Sequence, residues 1–264
     1  MSKPRLDYNQ IANQYNQRYT LREADPKETA LKDVLLGLGA AQVLEVGCGT
    51  GHWLELLAPQ AGGVFGLDAS PGMLRQARQR AAPLALMQGR AERLPLKNGA
   101  LGLVFCLNAL HHFDDPQAYI TEVYRVLAPG GALAVIGSDL YARRDQWYIY
   151  QYFPGTHETD LKRFPPWEQV MDWMQQAGFQ GIDCRLVETI SKSWVGHEVL
   201  QDPFLQKHMV SQLALLSDEA YQAGLQRLQD DLEQAEQRGE RLIFISHLTV
   251  RMAIAYRPPE EDAS

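Results

Sequence analysis

The chain has 264 residues, of which 45% are hydrophobic and 22% charged, with a formal net charge of -7. Such a length can bury a sizeable core, and the acidic balance argues against the broad positive surface that nucleic-acid binding needs. No apolar run approaches the roughly 20 residues that span a bilayer. Met1 to Tyr8 lacks the apolar centre of a signal peptide, so the chain is expected to be cytoplasmic.

Tyr8, Tyr15 and Tyr19 lie in a polar N-terminal stretch, and Tyr8 and Tyr15 would share one face if the stretch were helical. Ala41 to Val46 reads as a first strand that runs into glycines, and His52 opens a helix. Gly63 to Leu67 is a second strand ending at Asp68. Ser70-Pro71 opens a helix to about Arg80, because serine can cap it and proline fits its first turn. Leu84 to Gln88 and Ala100 to Leu107 follow as strands; the second is apolar almost throughout, as a strand covered on both faces should be. Gln117 to Leu127 is an amphipathic helix, Pro129-Gly130-Gly131 a turn, and Ala132 to Ile136 a fifth strand. Strands alternating with helices predict an α/β fold with a parallel sheet.

The pattern then changes. Tyr141 to Pro166 is irregular and aromatic. Glu168 to Ala177 is a helix, Ile182 to Thr189 a strand, Asp202 to Arg238 mostly helical, and Leu242 to Tyr256 a long final strand. The residues from Pro258 on are expected to be disordered. Cys48, Cys106 and Cys184 show no ligand spacing and read as three reduced thiols; no metal site is expected.

Val43-Leu-Glu-Val-Gly-Cys-Gly-Thr-Gly51 is a strand entering a flexible turn. A phosphate-binding Walker loop needs Gly-Lys-Ser/Thr, which is absent. The dinucleotide fingerprint needs glycines at relative positions 1, 3 and 6, and His52 stands at the sixth. What remains is Glu-x-Gly-x-Gly-x-Gly, beginning at Glu45. Asp68 ends the next strand, where carboxyl ends of neighbouring strands meet over one crevice. A carboxylate there can accept both hydroxyls of a ribose.

These residues, with Gly66-Leu-Asp-Ala-Ser-Pro-Gly-Met73, Gly89-Arg-Ala-Glu92, Asn108-Ala-Leu-His-His112 and Glu122-Val-Tyr-Arg-Val-Leu-Ala-Pro-Gly-Gly131, resemble the class I S-adenosylmethionine-dependent methyltransferases. The likeness is to the type 11 group that holds ubiquinone- and menaquinone-biosynthesis enzymes, and it covers about residues 8 to 136. It implies a Rossmann-like, seven-stranded, mostly parallel sheet with helices on both faces, an antiparallel final strand and an inserted helical, aromatic cap. The corresponding division is an N-terminal cofactor-covering segment (1–30), a cofactor-binding core (31–140), an acceptor cap with the last strands of the same sheet (141–257) and a tail (258–264).

By that resemblance Glu45 orients the turn, and Gly47, Gly49 and Gly51 line the methionine part of S-adenosylmethionine. Asp68 binds the ribose, Met73 packs near adenine, and Ala91 offers its N–H to the ring. Asn108 faces the cofactor, Tyr15 covers the sulfonium, and Arg18 pairs with the carboxylate. The family often has an acidic residue before that alanine; here it is Arg90, which cannot accept a hydrogen bond. Either Glu92 substitutes, or Arg90 stacks on the base, or the contact is missing.

Methyl transfer from a sulfonium needs an aligned nucleophile more than it needs a base. His111 and His112 are the base candidates, because imidazole can take a proton near neutral pH. Asp139 and Tyr141, past the fifth strand, are further candidates. Trp147 to Phe153, with His157, is expected to cap an aromatic or partly apolar small-molecule acceptor. The protein is read as a monomer or homodimer without nucleic-acid or membrane partners. The alternative reading is a non-catalytic S-adenosylmethionine sensor.

Overall fold

A computed structural model describes residues 6–13, 15–19, 25–39, 41–141 and 146–260; the side chains of residues 10, 17 and 18 are outside the description. The expected tail thus lies partly outside the described residues. The chain divides into two compact units. The larger holds Asp7–Ser138, Pro165–Glu188 and the residues from Val250 on; the smaller holds Leu6, Asp139–Phe164 and Thr189–Thr249.

Strands β1 (Gln42–Val46), β2 (Gly63–Asp68), β3 (Ala85–Gln88), β4 (Leu101–Leu107) and β5 (Leu127–Ser138) belong to the larger unit. They are followed by β6 (Gln146–Trp147), β7 (Gln180–Val195) and β8 (Ile243–Tyr256). The order is β3-β2-β1-β4-β5-β8-β6, with β7 also on β8. β1 to β5 pair in parallel, and β8 runs antiparallel to β5, with Ile254 opposite Ala134. The sequence leads to the same α/β fold and to an antiparallel last strand. It gives seven strands where the described residues contain eight. The addition is β6, whose two residues are too few to leave a period-2 signature.

Both faces of the central strands are buried, which is why these runs are apolar throughout. Leu44, Val46, Val104, Cys106, Leu133 and Val135 join a core with Tyr119, Ile120 and Val123 of helix Pro116–Val126 and Val170 and Met174 of helix Trp167–Gln176. The alternate residues Val43, Leu103, Phe105, Ala132 and Ala134 point the other way and are also fully buried. Three helices of this unit start alike: Asp25, Ser70 or Asp115 caps the first turn with its side chain, and a proline follows.

β5 begins at Leu127, five residues before the expected start. Pro129-Gly130-Gly131 is not a terminal turn but an irregularity within the strand, where the pairing jumps from Leu101–Leu127 to Leu103–Ala132. The Gly130 N–H donates to the Arg257 carbonyl and the Arg257 N–H to Gly131, so the bulge keeps its backbone partners. β7 is likewise longer than expected.

In the smaller unit, helix Asp218–Gln237 buries Gly224, Leu228, Leu232 and Ala235. Leu228 and Leu232 join a core with Trp147, Tyr148, Ile149, Tyr152, Phe153 and Phe244. The expected helical stretch from Asp202 resolves into short turns at Pro203–Leu205 and Ser211–Ala214 before this helix, which Ser217 caps.

Candidate functional site

β1 lies between β2 and β4, so the strand order reverses there, and the loops after β1 and β4 leave the same edge of the sheet. Gly47, Gly49 and Gly51 all have positive φ, which explains their spacing. A Cβ on Gly47 would stand 2.6 Å from the Ala109 Cβ, and one on Gly51 would stand 2.7 Å from Leu84 Cδ1. At Gly49 only the Tyr15 ring comes near, at 3.7 Å. Gly47 and Gly51 therefore fold the turn, while at Gly49 a side chain would meet only the Tyr15 ring, at ordinary contact distance.

Asp68 holds this turn. Its Oδ2 accepts the Gly49 N–H at 2.8 Å, and its Oδ1 accepts the Ser70 N–H at 2.8 Å. Burial raises the Asp68 pKa, and these N–H groups oppose the rise. Glu45 is buried beside it, and its Oε2 has no hydrogen-bond partner. Burial, then the Asp68 charge, pushes its pKa well above the ordinary carboxylate range. Met73 and Ala91 are buried, Met73 with its N–H on the Ser70 hydroxyl. Asn108 follows β4 at φ 50, a conformation that asparagine tolerates better than most residues.

Arg90 is exposed and paired with Glu92 and Asp114. Glu92 Oε1 accepts the N–H groups of Asp114 at 2.8 Å and Asp115 at 3.2 Å. The Arg90–Glu92 pair thus organises the segment before helix Pro116–Val126.

Tyr8 and Tyr15 do not share one helix. Tyr8 opens a short helix, Tyr8–Ile11, and Tyr15 opens a 3-10 turn, Tyr15–Tyr19; the rings still meet edge-on at 6.0 Å. The Tyr8 hydroxyl lies 2.6 Å from His112 Nε2. The His111 ring is 3.9 Å from that of His112, so both base candidates border the N-terminal segment. The Arg18 side chain lies outside the described residues.

Sequence reasoning missed what anchors this segment. Asn9 Oδ1 accepts the Ser70 hydroxyl and the Gly72 N–H, each at 2.9 Å. Asn13 Oδ1 accepts the Gln76 amide at 2.8 Å. Asn16 Oδ1 accepts the Thr50 hydroxyl at 2.6 Å and the Arg80 guanidinium at 2.9 Å. The asparagines recur four and three apart in the sequence, a helical spacing that the tyrosines overshadowed. His52 stacks on Tyr19 at 3.8 Å. Burial, then Arg80, lowers its pKa from 6.5 to about 4, so it stands neutral here.

Asp139 and Tyr141 belong to the smaller unit. Asp139 is buried and accepts the Tyr141 N–H at 3.2 Å; the Tyr141 hydroxyl donates to the carbonyls of Leu161 and Phe164 at 2.9 and 3.3 Å. The aromatic stretch is largely core of this unit. Tyr148, Tyr150 and Tyr152 each donate their hydroxyl to a carboxylate, of Asp202, Asp160 and Asp231 respectively. Burial, then the Asp202 charge, pushes the Tyr148 pKa far above its usual value. Asp160 and Arg163 form a buried ion pair at 3.2 Å.

The family model for a methyltransferase domain matches residues 44–135. The chain is 33% identical over 170 residues to a demethylmenaquinone methyltransferase of Lactiplantibacillus plantarum, covering 54% of this chain and 71% of that one. It is 30% identical over 175 residues to a ubiquinone biosynthesis O-methyltransferase of Pseudomonas aeruginosa, covering 61% and 73%. Among solved structures it is similar to a Haemonchus contortus phosphoethanolamine N-methyltransferase in complex with S-adenosylmethionine. The TM-score there is 0.59 at 16% identity, over 95% of this chain and 57% of that one, a likeness of fold alone.

The residues fit such a cofactor. A positive-φ glycine faced only by an aromatic ring, a carboxylate at the neighbouring strand end and a buried oxygen lacking a donor suit a nucleoside with hydroxyls and an ammonium. No helix among the described residues is long and apolar enough to cross a membrane. The fold, this site and the relatives agree: the chain belongs to the S-adenosylmethionine-dependent methyltransferases.

Proposed function

We propose that the chain transfers a methyl group from S-adenosylmethionine to a planar, partly apolar small molecule, and that the turn 47–51 and Asp68 seat the cofactor. The observation that carries the reading is the Asp68–Gly49 hydrogen bond beside the unpartnered Glu45 oxygen. A turn that needed only to be tight would not need a second carboxylate buried without a donor, since an unsatisfied buried group costs about 1–3 kcal/mol.

When bound, S-adenosylmethionine supplies an electrophilic methyl on a positively charged sulfur. Asp68 already accepts two N–H groups, and its remaining lone pairs can take ribose hydroxyls. Gly49 admits the ligand's backbone-hugging part, and Glu45 accepts a donor that arrives with it. The Tyr15 ring above Gly49 attracts a cation. Ala91 would offer its N–H to adenine, Met73 would pack near it, and Asn108 would face the cofactor. Where the acceptor must lose a proton, His112 takes it, oriented by the Tyr8 hydroxyl. The His111 ring packs against that of His112, 3.9 Å away.

By the same proposal, residues 1–30 cover the cofactor, residues 31–140 bind it, and residues 141–257 serve the acceptor. Two of the curated relatives, those given above, are named for quinone biosynthesis or a quinone precursor, which supports a planar acceptor.

Calorimetric titration with S-adenosylmethionine, and separately with a nicotinamide dinucleotide, tests the cofactor. Saturable binding of the first alone is expected. Asp68→Ala should weaken it about tenfold or more, because a hydrogen bond to a charged group is worth about 1.5–3 kcal/mol. No binding by the unaltered chain would sink the reading. A panel of quinols and phenols, read by S-adenosylhomocysteine release, tests the acceptor; binding with no release from any would favour a sensor.

A further inference from the structure

Arg80 stands just past helix Pro71–Ala77, and its planar fork reaches three places at once. Nε donates to the Thr50 carbonyl at 3.0 Å, Nη2 to Asn16 Oδ1 at 2.9 Å, and Nη1 to Glu55 Oε2 at 2.9 Å. Thr50 is fully buried and lies between Gly49 and Gly51, both at positive φ. Its hydroxyl donates to the same Asn16 oxygen at 2.6 Å. One amide oxygen of the N-terminal segment is thus held from two sides, by the glycine turn and by the guanidinium that also fixes the turn's carbonyl.

The position of that segment matters for the turn. Asn16 follows Tyr15, whose ring is the neighbour a Gly49 side chain would meet. Lifting residues 15–19 away from Gly49 must break the Asn16 bonds, and breaking them leaves only the Arg80 Nε bond and the Gly51–Cys48 backbone bond to resist rotation of the Thr50 peptide. Glycines on both sides make that rotation easy. The rest of the fork, through Glu55, stays anchored: Glu55 Oε1 also accepts the Ala81 N–H at 2.9 Å.

We propose that Arg80 is a positioning residue: with Asn16 it couples the closing of the 15–19 segment to the conformation of the glycine turn, and so sets how long S-adenosylmethionine stays bound. This rests on the turn being the cofactor seat. The pair acts as one unit, so the two side chains should not contribute independently. Lysine cannot replace the arginine, because one ammonium cannot address a backbone carbonyl, an amide and a carboxylate in fixed fork geometry.

The test is stopped-flow dissociation of S-adenosylmethionine, followed by intrinsic tryptophan fluorescence, with calorimetric affinities. The proteins are the unaltered chain, Arg80→Lys, Asn16→Ala and the double variant. Each single variant should release the cofactor about tenfold faster, with association rates nearly unchanged. The double variant should be no faster than the worse single one. Hydrogen exchange over residues 15–19 and 47–51 should rise together in each single variant, which a loss of packing elsewhere would not produce. Because Asn16→Ala leaves Arg80 in place, it tests the coupling even if Arg80→Lys folds poorly. Unchanged dissociation in Asn16→Ala, or effects that multiply in the double variant, would overturn the proposal while leaving the cofactor site intact. Failure of the unaltered chain to bind would instead remove the reading beneath it.

Discussion

The Tyr8 hydroxyl and His112 Nε2, 2.6 Å apart, join the start of the described chain to the short helix after β4. The contact gives His112 one fixed orientation and makes the N-terminal segment part of the same border. With an acceptor found by the panel, His112→Ala should lower turnover by about a hundredfold, within the range for a positioned base. Its affinity for S-adenosylmethionine should stay within about twofold of the unaltered chain's, as expected for a group that does not touch the cofactor. Tyr8→Phe should cost about tenfold, one hydrogen bond to the imidazole. Equal turnover in His112→Ala and the parent would take His112 out of the chemistry.

Glu45 gives a pH-dependent prediction. Its folded pKa is raised well above the unfolded one by burial and by Asp68. Between the two values the folded chain keeps a proton that the unfolded chain has lost, so stability falls as pH rises through that window. Glutamine cannot ionise. Glu45→Gln should therefore melt higher than the parent, by about 2–4 °C per kcal/mol relieved for a protein of this size. The gain should be larger at pH 8 than at pH 5. Cofactor affinity should fall in the same variant. A melting difference that stays flat with pH would contradict the assignment.

Two glycines separate strain from collision. Gly47 and Gly99 both have positive φ, at 76° and 67°, but only Gly47 faces an obstacle, the Ala109 Cβ at 2.6 Å. Gly99→Ala should cost about 1–2 kcal/mol, the backbone penalty alone. Gly47→Ala should add roughly 1–3 kcal/mol for the overlap. Urea unfolding of the two variants measures the difference; equal costs would mean that the β4 loop yields freely.

In the smaller unit the Asp160 carboxylate is shared by Arg163, the Tyr150 hydroxyl and the Gln212 amide. Asp160→Ala takes the carboxylate from a buried guanidinium and should cost about 3–5 kcal/mol. Tyr150→Phe, which removes one of the three bonds, should cost about 1 kcal/mol. A calorimetric melt of each variant distinguishes the two; similar small losses would show that the ion pair adds little.

The cofactor half of the sequence was readable because local chemistry dictates it. Strands buried on both faces must be apolar, a turn with three positive-φ residues must be glycine, and proline after an aspartate or serine marks a helix start. The N-terminal anchors were harder to see. Asn9 and Asn16 act on Ser70, Gly72, Thr50 and Arg80, far along the chain, and nothing local to an asparagine names its distant donor. The tyrosines Tyr148, Tyr150 and Tyr152 read as part of an aromatic cap over the acceptor. Their hydroxyls have carboxylate partners at Asp202, Asp160 and Asp231 that only the fold brings close. Arg90 was legible as a departure, but its pairing with Asp114 was not, because the sequence separates them by a strand and a loop.

β8 is the strand on which synthesis of this fold must wait. Its second half, Val250–Tyr256, completes the pairing of β5, yet β5 leaves the ribosome before the whole of the smaller unit has been made. Until then the Ala132–Ser138 edge is an open row of backbone donors and acceptors, a template for pairing with another chain. A nascent or truncated chain that stops before Val250 would therefore be exposed to aggregation through an apolar edge. Affinity tags, reporters and shortened forms of this protein are better designed around a complete β8 than around the apparent boundary between its two units.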